Sequence, residues 1–83
     1  MARMGVVGIV IEGDRSVAGE VQNILHDFGD IIVGRMGIPD KIKQIYLISL
    51  IVNGTVEQIS ALTGKLGRIN SVTVKSALTT LEV

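Results

Sequence analysis

The chain has 83 residues, 47% hydrophobic and 19% charged, with 8 Lys and Arg against 8 Asp and Glu. That makes it too apolar to stay disordered and leaves no net field to gather phosphates or dock on an anionic membrane; the absence of cysteine removes disulfides, thiolate nucleophiles, iron–sulfur ligation and zinc ribbons. Phe28 and Tyr46 are too few aromatics for base-stacking platforms, and with no signal-peptide pattern and no apolar run near the roughly 18 residues of a membrane span, the expected setting is the cytoplasm.

Gly5 to Ile11 is a short β-branched run closed by Glu12-Gly13-Asp14, which reads as a strand followed by a turn. From Arg15 to Phe28, the apolar residues Val17, Val21, Ile24, Leu25 and Phe28 fall along one stripe of a helix, with Gly29 as its stop. Ile31 to Ile38 is again β-rich, and Pro39-Asp40 marks a turn before the longer run Lys43 to Val52. After Asn53-Gly54, Thr55 and Gln58 have the spacing of a capping box, and Val56, Ile59, Leu62 and Leu66 share one helical face. Gly67 is expected to end that helix in the left-handed conformation. Ile69 to Leu78 then sets Val72, Val74, Ser76 and Leu78 against Ser71, Thr73, Lys75 and Ala77, the alternation of a strand with one mostly apolar face.

The order βαββαβ predicts an α+β fold of ferredoxin-like type, spanning residues 1–83 as a single domain. Right-handed crossovers would place both helices on one face of a four-stranded antiparallel sheet with strand order 4-1-3-2. A domain of this size buries only roughly 60 to 65% of its unfolded surface. Yet the third strand is apolar on both parities, Ile45, Leu47 and Ile51 on one and Tyr46, Ile48, Leu50 and Val52 on the other, and the first strand behaves alike. Only one face can meet the helices. Each large side chain left wet on the other forgoes about 1.5 to 3 kcal/mol of burial, so a homo-oligomer is expected, stacked sheet on sheet or joined edge to edge.

Residues with chemical potential are few. His26 lies one step off the apolar stripe and has no cysteine or second histidine to join it, so neither a metal site nor a cofactor is expected. No serine has a visible base–acid pairing, which argues against an enzyme. Gly13, Asp14, Arg15 and Ser16 join the first strand to the first helix, where backbone amides at a helix start can receive an anionic or amino-acid-like ligand; the plainer alternative is a turn with Asp14 as N-cap. Lys65 and Arg68 form a weaker anion-binding candidate in Gly64-Lys65-Leu66-Gly67-Arg68. That segment lacks the order of a phosphate loop and closes a helix, so the two cations equally suit the negative end of its dipole.

The segment Leu62-Thr63-Gly64-Lys65-Leu66-Gly67-Arg68-Ile69-Asn70-Ser71-Val72-Thr73-Val74-Lys75 resembles the C-terminal signature of the proposed iron-only hydrogenase system regulators. Leu25-His26-Asp27-Phe28 and Ile31-Ile32-Val33-Gly34-Arg35-Met36-Gly37-Ile38-Pro39 are similar to the helix end and second strand of the same family. The resemblance implies an ACT-like form of the fold, similar to the C-terminal regulatory domain of nickel-responsive repressors, assembly into a dimer or tetramer, and association with the iron-only hydrogenase system. In the nickel-responsive relatives a separate ribbon-helix-helix segment binds DNA. Residues Met1 to Met4 leave no room for that segment, and the cysteine and multiple histidines of the nickel site are missing too. The expected function is therefore an oligomeric regulatory module that senses a small-molecule effector or binds a protein partner, without direct nucleic-acid or membrane contact. The alternative is a transcriptional regulator contacting DNA directly or through a partner.

Overall fold

The computed structural model describes residues 2–13 and 15–82. Strand β1 (Arg3–Glu12) leads into helix α1 (Arg15–Asp27), a 3₁₀ turn over Gly29–Ile31 and strand β2 (Ile32–Asp40). Strand β3 (Ile45–Gly54), helix α2 (Val56–Gly67) and strand β4 (Val72–Glu82) complete the βαββαβ order. All pairings are antiparallel, in the spatial order β2-β3-β1-β4, as the pattern predicts.

The core lies between the sheet and the two helices. Alternation along β1 buries Gly5, Val7, Ile9 and Ile11, and along β3 it buries Ile48, Leu50 and Val52. These close on Val21 and Leu25 of α1 and on Ile59, Leu62 and Leu66 of α2, all at most 3% exposed. α2 is started by the expected capping box. The Gln58 amide donates to Thr55 Oγ1 at 3.1 Å, and the Thr55 amide donates to Gln58 Oε1 at 2.9 Å.

Three local expectations are corrected. Gly67 is the last residue of α2, and among the described glycines only Gly13 has a positive φ, 81°. The chain leaves α2 through Arg68 in right-handed geometry, an Ile69 amide to Leu66 carbonyl bond of 3.2 Å follows, and the reversal is deferred to Ser71 with φ 70°. Pro39 and Asp40 belong to β2, opposite Tyr46 and Ile45. Because β2 is an edge strand, a proline there removes no required ladder bond. The turn falls at residues 41–44, held by Asp40 Oδ1, which accepts from the amides of Ile42 (3.1 Å) and Lys43 (3.2 Å). β4 starts at Val72 and not at Ile69, whose side chain instead packs against the core from the turn.

Both edge strands are irregular. In β2, Ile32 pairs with Val52 and Gly34 with Ile51, so Val33 is an extra residue. In β4 the register shifts between the partners of Arg3 and Gly5, and the Thr79 hydroxyl fills the break by donating to the Met4 carbonyl at 2.8 Å. The sheet face away from the helices carries Val6, Leu47, Ile51, Met36 and Ile38, each 40 to 63% exposed.

Candidate functional site

The exit of β1 is held by two consecutive backbone hydrogen bonds. The Glu12 amide donates to the Ser71 carbonyl at 2.9 Å, and the next amide, of Gly13, donates to the Gln44 carbonyl at 3.0 Å. Ser71 (φ 70°) and Gln44 (φ 55°) are also the two non-glycine residues of positive φ among the described residues. A side chain in that region costs about 1 to 2 kcal/mol. Here the cost is placed where it turns two carbonyls towards consecutive amides, tying the β1–α1 turn to the β2–β3 hairpin on one side and to the α2–β4 turn on the other.

This arrangement opens a groove of ≈ 390 Å³ between the β1–α1 turn and the turn end of the hairpin. Gly13 and Ala18 line one side; Asp40, Lys41, Gln44 and Tyr46 line the other. Gly13 has no atom within 4 Å of where a Cβ would stand, so its surroundings are open and its positive φ is the reason for glycine. The groove offers an acid, a base, an amide and a phenol above an apolar floor that includes Ile11, a donor set that suits a small zwitterionic or polar molecule.

Of the four residues expected to bind a ligand, Gly13 lines this groove. Arg15 is the first residue of α1, Ser16 is exposed in the first helical turn outside the lining, and Asp14 lies outside the described residues. Lys65 and Arg68 sit elsewhere. The Lys65 ammonium lies 5.5 Å from the centre of the Phe28 ring, a cation–π contact that joins α2 to the end of α1, and Arg68 caps α2. The hairpin residues Asp40, Lys41, Gln44 and Tyr46 were not among the sequence candidates. Their signal is in the sheet order: once β1 pairs antiparallel with β3, Ile11 faces Tyr46 and Glu12 faces Ile45, so the turn end of the hairpin must adjoin the β1–α1 turn. No cluster of three or more metal-ligating side chains occurs among the described residues, and no described helix is long and apolar enough to cross a membrane.

Known structures share this architecture. The uncharacterized protein TM1266 from Thermotoga maritima superposes with a TM-score of 0.92 at 32% identity, over 94% of this chain and 98% of that one. The ACT domain of the GTP pyrophosphokinase of Chlorobium tepidum gives 0.74 at 16% identity, over 93% of this chain and 100% of that domain. A proposed glycine cleavage system transcriptional repressor gives 0.70 at 14% identity, over 100% of this chain but 49% of the other. The last two likenesses establish the ACT-like, ferredoxin-like fold. No curated protein matches the chain. The TM1266-like family model spans residues 3–76, from the first strand into the last, and with the fold in agreement the chain belongs to the TM1266-like family of proposed iron-only hydrogenase system regulators.

Proposed function

We propose that the protein is a non-enzymatic regulatory module of the iron-only hydrogenase system, assembled from copies of itself and responding to a small polar effector in the groove beside Gly13. The observation that carries this reading is the double tether of the β1 exit. An effector seated between Gly13 and the hairpin would bear on backbone bonded to both neighbouring turns, so binding would be felt across the end of the sheet. The ACT-like fold and the family support a regulatory role.

The apolar sheet face supports self-association. Its centre carries the apolar residues Val6, Leu47 and Ile51, with Lys75 of β4 on the same face opposite Gly8. Both edges are broken by irregular pairing, which disfavours edge-to-edge extension and favours stacking face on face. DNA contact through a partner is the second reading. It is favoured by the likeness to the glycine cleavage system repressor, and a gel shift of the purified protein alone at low salt is expected to show no complex.

The test is thermal unfolding against free amino acids and nucleotides. A ligand at about 100 times its Kd stabilises the folded state by roughly 2.7 kcal/mol. One or a few compounds should raise Tm in the native protein and lose the effect in Tyr46→Ala. A flat response to all compounds, or one that Tyr46→Ala leaves unchanged, would reject the effector site.

A further inference from the structure

We propose that a second groove, between the end of α1 and β2, binds a small molecule through its carboxylate or phosphoryl group, with Arg35 and His26 as the oxyanion contacts. The groove has a volume of ≈ 330 Å³, and Leu25 and Ile32 form its apolar walls. It lies apart from the groove beside Gly13 and shares no lining residue with it.

Four observations point the same way. Arg35 projects from β2 on the helix side, and its guanidinium donates to Gln22 Oε1 of α1. That partner is a neutral amide, and among the described residues Arg35 makes no ion pair, so the group is oriented without its charge being cancelled. His26 is exposed in the last turn of α1, off the buried stripe of Val21 and Leu25, so packing does not account for it. It lines the groove and supplies an N–H donor in either charge state.

The extra residue Val33 releases β2 from its ladder at the floor of the groove, and nothing lies within 4 Å of a Cβ built on Gly34. An oxyanion can therefore approach the backbone closely. Finally, three carbonyls about the end of α1, those of Ile24, Phe28 and Gly29, are occupied by backbone amides. Ile24 accepts from the Phe28 amide at 3.1 Å, Phe28 from Ile31 at 3.1 Å, and Gly29 from Ile32. The nearby acids Asp27 and Asp30 do not line the groove. The end of α1 and the start of β2, neighbours in the chain, thus form one partly apolar concavity with Arg35 and His26 on its lining.

The experiment is a titration of the ¹⁵N-labelled full chain with inorganic phosphate and, separately, acetate, at constant ionic strength, followed by amide chemical shifts. Saturable shifts are expected at His26, Gly29, Val33 and Gly34, and the stronger of the two anions identifies phosphoryl or carboxylate as the group. Half-saturation should rise at least tenfold in Arg35→Gln and in His26→Gln and stay unchanged in Lys65→Gln. The absence of saturable shifts with both anions, or equal saturation in the variants, overturns the site. Should Arg35→Gln fail to fold, the exposed His26→Gln decides alone. The effector response at Gly13 is expected to survive in both variants, so the two sites stand or fall separately.

Discussion

At the scale of single residues, the glycines divide by what surrounds them. A Cβ at Gly37 would stand 2.5 Å from Tyr46 Oη and 2.9 Å from its Cε1, and Tyr46 is a half-buried ring packed against the core, with little freedom to withdraw. Gly37→Ala is therefore expected to lower stability by about 1 to 3 kcal/mol in urea unfolding and to disturb the groove that Tyr46 lines. Gly64, in α2, has nothing within 4 Å. Gly64→Ala should raise stability by about 0.5 to 1 kcal/mol in the same assay, since alanine restricts the unfolded chain and favours the helix. Sequence reading separates neither pair of outcomes, because the Gly37–Tyr46 approach depends on strand register. The positive φ values of Ser71 and Gln44 were equally invisible: neither is a glycine or asparagine, and the carbonyl positions that favour the strained geometry exist only once β1 has its two neighbours.

At the scale of elements, the regular structure was legible because each element carries its own periodicity. The stripe Val21–Leu25 and the face Ile59–Leu62–Leu66 are the buried faces of the two helices, and the Thr55–Gln58 capping box forms at the start of α2. Thr55→Ala should cost about 1 kcal/mol, with the loss also seen as faster amide exchange in the first turn of α2. Leu62, with no exposed surface and at the centre of the same helix, should cost about 2 to 5 kcal/mol on substitution by alanine, by calorimetry or urea melt. The ends of elements were less legible. Proline read as a turn is tolerated in β2 because the strand lies at an edge, and Gly67 read as a stop remains helical because the chain turns through Arg68 and Ile69. For the proline the deciding feature, the strand order, is set by residues distant in sequence; for Gly67 it lies in the residues that follow.

At the scale of the whole molecule, the two-sided apolar character of β1 and β3 foretold that one sheet face would be left uncovered by the helices, and the face with Val6, Leu47 and Ile51 is that face. Leu47→Lys and Ile51→Lys should convert the proposed homo-oligomer into monomers by light scattering, with unchanged far-ultraviolet circular dichroism, because both side chains point away from the core. Of the candidate groove, the side at Gly13 was legible in the sequence; the hairpin side follows from topology. The irregular edges bear on the interval between synthesis and assembly. In the proposed assembly a newly made chain would wait for its partner with that face wet, and straight strand margins would let waiting chains add to one another without limit. Val33 and the break at Thr79 deny incoming chains a continuous template on either margin, so growth of the proposed assembly would end at a closed complex, and the lysine variants are expected to remain clear in solution and silent to thioflavin.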